Sequence, residues 1–144
     1  MKPSELSIGD WVCAAVPVIN GEERLTPPMR VVGMGETWVY LEIDPEQGDP
    51  FDENIKDIRP VPLTADILLA NGWEWEHPKR LSCDLNKDSK DDPLVHVIRA
   101  TIFNNGRFFF DVHVPNISFR LYIDYVHELQ HALRLAGIEK EIKL

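Results

Sequence analysis

The sequence predicts an α+β protein: an N-terminal SH3-like small β-barrel packed with a C-terminal unit of β-hairpin plus long α-helix. Three observations lead there. Roughly the first sixty residues hold short runs rich in Val, Trp and Tyr, separated by Gly-bearing turns, the pattern of a small barrel. Residues 94–103 and 107–114 flank Asn104-Asn105-Gly106, a strong hairpin signal. Residues 117–136 set Phe119, Tyr122, Ile123, Val126, Leu129, Leu133 and Ala136 three and four apart, the apolar stripe of an amphipathic helix. The expected division is 1–56 and 57–144, with one continuous domain as the alternative.

In chain order, Leu6-Ser7-Ile8-Gly9-Asp10-Trp11-Val12 reads as an apolar entry, a Gly-Asp turn and a strand start. Residues 29–32 and 37–43 are further β-type runs, with Asn20-Gly21 and Gly33-Met34-Gly35-Glu36 as turns. The acidic stretch 44–53, with Pro45, Gly48 and Pro50, reads as an exposed loop. Pro60 and Pro62 hold the next segment extended. Thr64 then N-caps a short helix carrying Ile67 and Leu68, which Asn71-Gly72 ends. Trp73 and Trp75 alternate with Glu74 and Glu76 as in a half-buried strand. Residues 77–93 are polar and read as a loop, and Pro115-Asn116 breaks the sheet after the hairpin. Gly137-Ile138 is a Schellman ending for the long helix, and 138–144 form a short strand or a tail.

The formal net charge is −9 over 144 residues, and the fifteen Lys and Arg form no run. Such a field disfavours nucleic acid as a partner. The first residues lack a signal-like apolar stretch and no window suits a membrane span, so the expected place is the cytoplasm, with no membrane partner. Cys13 and Cys83 stand far apart in sequence and read as reduced thiols.

The sharpest chemical motif is His127-Glu128-Leu129-Gln130-His131, the H-E-x-x-H pattern of zinc peptidases. On one helix the two imidazoles share a face and serve as Zn ligands, with Glu128 as general base. Both histidines fall roughly 120 to 165 degrees from the centre of the apolar stripe, which suits a cleft-lining face, but Arg120 and Arg134 beside them raise the cost of placing a dication there. Arg134 also stands where the metzincin continuation needs Gly. A third ligand would come from Glu139 or Glu141 just past the helix, or from His96 or His113 upstream. The expectation is a solvated helix face and no cofactor. Asp84-Leu85-Asn86-Lys87-Asp88 opens like a calcium loop, but Ser89 replaces the turn glycine and Val95 the final Glu. The cluster Asp84, Asp88, Asp91 and Asp92 therefore reads as an acidic surface loop. Trp11 and Trp38 are expected in the core, and Trp73 and Trp75 as interface candidates. Phe108-Phe109-Phe110 puts aromatics on both faces of a strand, so both faces are expected to be covered.

Three blocks carry a family resemblance: Leu6-x-Ile8-Gly9-Asp10-Trp11-Val12; Ile58-x-Pro60-Val61-Pro62-Leu63-Thr64-x-x-Ile67-Leu68-x-x-Asn71-Gly72-Trp73; and Tyr125-Val126-His127-Glu128-Leu129-Gln130. In this order they resemble small uncharacterised bacterial proteins, often encoded in prophages or other mobile elements. That family's ending commonly reads V-H-x-L-Q-N, which implies that Glu128 and His131 are incidental here. The resemblance implies no activity and transfers no site residue.

The expected function is a non-enzymatic binding or adaptor protein whose partner is a protein. Its contact surface is expected at Tyr125, His127, Glu128 and His131, with Trp73 and Trp75. One alternative is a small zinc-dependent hydrolase using His127, Glu128 and His131. The other is an acidic nucleic-acid mimic that blocks a DNA-binding enzyme.

Overall fold

The computed structural model describes residues 1–46, 48–85, 97–114 and 117–144, and it is an α+β chain built on two sheets. It divides into unit 1, Met1–Pro62 with Tyr125–His127, and unit 2, Leu63–Asp124 with Glu128–Leu144.

Unit 1 is a curled antiparallel half-barrel of β1 (Trp11–Val16), β2 (Arg24–Leu25), β3 (Met29–Met34), β4 (Trp38–Glu42), β5 (Phe51–Asn54) and β6 (Ile58–Pro60). The Ser7-to-Asp10 turn launches it. Gly9 sits at φ 92°, a region open to glycine, and the buried Asp10 carboxylate accepts the Ser7 N–H at 2.7 Å. β1 is the hub, pairing β6 along one edge and both β2 and β3 along the other. Pro27 and Pro28 separate β2 from β3, because a proline has no N–H to give a ladder. Thr26 spans the interruption: its N–H donates to Ala14 O and its hydroxyl accepts the Ala14 N–H, both at 2.9 Å. Val12, Ala14, Met29, Val31, Val39, Leu41, Ile55 and Ile58 form the core.

Two expectations for this unit are corrected. The acidic stretch 44–53 is not all loop, because β5 pairs with β4 from Leu41↔Phe51 to Trp38↔Asn54. An edge strand needs a backbone partner more than it needs β-favouring side chains. Trp38 is not core. Val39 and Leu41 take the inward positions of β4, so the two-residue period turns Trp38 and Tyr40 outward, 38% and 42% exposed. Trp11 is half-buried, with the Arg30 guanidinium 5.6 Å from its ring.

Unit 2 opens with α1 (Ala65–Ala70), capped by the Thr64 hydroxyl accepting the Ile67 N–H at 3.3 Å. Gly72 at φ 88° closes a Schellman ending, with Trp73 N–H to Leu68 O at 3.1 Å and Gly72 N–H to Leu69 O at 3.3 Å. A five-stranded antiparallel meander follows: β7 (Glu74–His77), β8 (Arg80–Asp84), β9 (Val97–Ile102), β10 (Phe108–Val114) and β11 (Ile117–Ile123). Its apolar face carries Leu81, Cys83, Ile98, Ala100, Phe108, Phe110, Val112 and Ile123, brought into rows by the strand registers. The chain then enters α2 (Val126–Leu135).

Here the sequence-based expectation of a helix over 117–136 is corrected. Residues 117–123 are β11, paired with β10 at all seven positions from Phe108↔Ile123 to Val114↔Ile117. Ile117, Phe119, Leu121 and Ile123 also alternate, and pairing with a neighbour selects that period. Part of the expected loop 77–93 is likewise β8, a central strand whose Leu81 and Cys83 are buried. The helix ending itself forms as its residues predict: Ile138 N–H reaches Leu133 O at 2.9 Å and Gly137, at φ 71°, reaches Arg134 O at 3.0 Å. Beyond it the tail runs without strand pairing, but Ile142 is buried and Asn71 holds the backbone of Lys143. The Asn71 amide donates to Lys143 O at 2.8 Å and to Ile67 O at 2.8 Å, while its carbonyl accepts the Lys143 N–H at 2.7 Å.

Candidate functional site

The H-E-x-x-H residues stand at the start of α2, where most of the circumference is covered: Val126, His127, Leu129, Gln130, Ala132 and Leu133 are all buried. The expected exposed surface at His127 is therefore corrected, since this side chain is only 6% exposed. The reason is geometric. The covered arc of α2 is wider than its apolar stripe, and it takes in the polar His127 and Gln130 beside Val126, Leu129, Ala132 and Leu133. His127 stacks with Tyr125, ring centroids 6.0 Å apart and planes at 18°. Tyr125 remains exposed, and Glu128 and His131 are half-buried.

Glu128 has a local structural role. Its Oε2 accepts the Asp124 N–H at 2.8 Å, folding the carboxylate back over the positive end of its own helix. Asp124 in turn is held by Arg107 through two bonds, at 2.9 and 2.8 Å. This hydrogen-bonded guanidinium pulls the Asp124 carboxyl below its ordinary value, and Asp124 in return raises Arg107. Of the further ligands considered, Glu139 and Glu141 lie on the exposed tail. His113 is engaged on β10, 3.0 Å from Asp111 through Nε2 and 3.0 Å from the Ser118 hydroxyl through Nδ1. His96 lies outside the described residues, as do Asp88, Asp91 and Asp92 of the calcium-like loop; Asp84 ends β8. Among the described residues, no three His, Cys, Asp or Glu side chains gather as metal ligands would. Cys13 and Cys83 are buried thiols, and burial pushes the Cys13 thiol up.

Of the two tryptophans expected at an interface, Trp73 is corrected to a core residue, 1% exposed. It is the residue that folds back onto Leu68 in the Schellman ending of α1, and Lys140 covers its ring at 5.3 Å. Trp75 stands on the edge strand β7, 48% exposed.

Two exposed aromatic surfaces were not legible as sites in the sequence. On unit 2, the face opposite the apolar one carries Phe109 and Tyr122, 5.1 Å apart, with Phe103 5.8 Å from each. Within the chain the two faces of the Phe108-Phe109-Phe110 strand differ in cover: Phe108 and Phe110 are buried, while Phe109 is half-buried and borders the exposed Phe103 and Tyr122. Arg107 covers the Tyr122 ring at 4.6 Å. On unit 1, Trp38 and Tyr40 stand side by side on β4 with centroids 4.6 Å apart. Their rings lie against β3-side glycines. A Cβ added at Gly35 would meet the Trp38 indole at 2.3 Å, and one at Gly33 would meet the Tyr40 ring at 2.9 Å. Glycine at both positions is what lets the two rings lie down there.

The charge is uneven as well. Unit 1 holds twelve Asp and Glu against five Lys and Arg, and unit 2 holds twelve against ten. Among the described residues, no helix is long and apolar enough to cross a membrane. Compared with family models, with curated proteins and with solved structures, the chain finds no match.

Residues of the three sequence blocks have structural work to do. Gly9 and Asp10 shape the turn into β1, Thr64 caps α1, Asn71 holds the tail, and Gly72 and Trp73 end α1. These blocks mark a scaffold.

Proposed function

We propose that the protein is a non-enzymatic binding or adaptor module of the cytoplasm, serving a prophage or other mobile element and recognising another protein. Unit 1 is read as an SH3-like barrel. In support, its strands run as a meander whose last member, β6, returns to pair with β1 after a 3₁₀ turn at Ile55–Asp57. The observation that carries the binding reading is the outward pair Trp38 and Tyr40. Large aromatic side chains left exposed side by side on a strand are enriched at protein interfaces and do nothing for a core. Their backing by glycine makes them a rigid, pre-ordered surface, which lowers the entropic cost of binding.

A photo-crosslinking residue placed at Tyr40 tests this, followed by identification of the adduct and reconstitution of the complex from purified components. A defined complex that forms with the parent and weakens in Trp38→Ala is the expected outcome. A zinc-dependent peptidase or esterase activity that disappears in Glu128→Gln would overturn the reading.

The nucleic-acid-mimic reading draws on one observation, the concentration of twelve carboxylates in unit 1. It predicts that duplex DNA displaces the chain from its partner, and a complex indifferent to DNA removes it.

A further inference from the structure

We infer that the Trp38–Tyr40 surface takes a cationic segment of the partner protein, with a Lys or Arg side chain seated on the aromatic rings. This inference rests on the binding reading above and adds the chemistry of the partner.

The molecule shows how it treats its own rings. Arg30 lies 5.6 Å from the Trp11 ring, Lys140 lies 5.3 Å from Trp73, and Arg107 lies 4.6 Å from Tyr122. In each case a cation faces the electron-rich face of an aromatic ring, an arrangement that stabilises both groups. Among the described residues, no cation covers Trp38 or Tyr40. The local sequence supplies none either: from 31 to 55 there is no Lys or Arg, while Glu36, Glu42, Asp44, Glu46, Asp49, Asp52 and Glu53 supply seven carboxylates. The two rings stand in the middle of the longest cation-free stretch of unit 1.

The register adds the counter-charge. Asp52 is the cross-strand partner of Tyr40 and Glu42 follows two residues later on the same side of β4, so carboxylates flank the rings on one face. With glycine backbone beneath them, the rings turn their free sides to solvent. An incoming guanidinium or ammonium therefore meets ring faces and carboxylates together, and its methylene stem lies on the indole. A neutral or acidic segment gains the apolar contact alone, and an acidic one is repelled.

The test is a titration of the ¹⁵N-labelled full chain with a capped heptapeptide alternating Arg and Leu, and with its Glu/Leu counterpart, at about physiological ionic strength. The expected result is saturable shifts of the Trp38 indole N–H and of amides in β4 and β5 with the Arg peptide alone. Trp38→Ala should weaken binding about tenfold, while Tyr122→Ala on unit 2 leaves it unchanged. Asp52→Asn, an exposed isosteric change that leaves the rings in place, should weaken it severalfold and carries the test where Trp38→Ala fails to fold. Shifts scattered over both units, equal response to the Glu peptide, or affinity indifferent to both variants would overturn the inference. Failure here is separable from failure of the adaptor reading. A reconstituted partner complex that depends on Trp38 but is not displaced by the Arg peptide overturns the cationic segment and leaves the binding module standing.

Discussion

Glu128 offers the most telling perturbation, because the motif and the structure give it incompatible roles. Its carboxylate accepts the Asp124 N–H at 2.8 Å, a charged acceptor at the N-terminal end of α2. Hydrogen bonds to charged groups contribute about 1.5–3 kcal/mol, and N-terminal caps typically about 1 kcal/mol. Half-burial of Glu128 places the bond at the lower end, so Glu128→Ala should cost about 1.5 kcal/mol. For a chain of this size, melting should fall by about 5 °C. Glu128→Gln keeps a carbonyl acceptor and loses only the charge, so about half of that cost is expected. The assay is urea unfolding followed by tryptophan fluorescence and far-UV circular dichroism; coincident transitions license the comparison of free energies. If Glu128→Ala unfolds at the parental midpoint, the carboxylate is not holding the start of the helix, and the capping argument fails.

Two other perturbations bear on unit 2. Asp124 is held below its ordinary value of 3.8 by Arg107, so their pairing contributes stability above that pH, and the contribution is lost as the pH falls through the lowered value. Asp124→Asn should therefore melt below the parent at pH 7, with the gap closing on acidification below pH 3.8; a gap that persists in acid would show that the charge is not the cause. Asn71→Ala removes the partners of the Lys143 N–H and C=O, and should cost about 2 kcal/mol and speed hydrogen exchange at the Lys143 amide. An unchanged exchange rate there would refute the role of Asn71.

Much of the architecture was legible where local chemistry decides it. Thr64 before Ala65 and Asn71-Gly72-Trp73 after Ala70 bound α1 without help from the rest of the chain, as does Gly137-Ile138 for α2. The Val-, Trp- and Tyr-rich runs became β3 and β4. What was misread depends on partners distant in sequence. In residues 117–123 a two-residue and a helical period coexist, and pairing with β10 chooses between them. β5 is strand because β4 lies beside it, since Phe51-Asp52-Glu53-Asn54 has little intrinsic preference for it. The aromatic surfaces were missed for a related reason. Alternation shows that Trp38 and Val39 face opposite ways, but not which of the two faces the core. Two glycines near Trp38 were read as turn residues, although they also mark where a ring lies on the backbone. The H-E-x-x-H string shows another limit: the pattern alone does not reveal that its glutamate accepts the Asp124 N–H at the start of α2.

The Asn71 clamp also bears on the order in which the protein is made. Asn71 and Lys143 are 72 residues apart, so α1 leaves the ribosome well before its last backbone partner emerges. Until residue 143 emerges, Asn71 and the site that receives Ile142 are open to water, and unit 2 can hold only a provisional form of its final packing. A ribosome paused within α2 would present a nascent chain in that provisional state, with Trp73 not yet covered by Lys140, where a chaperone or protease would find it.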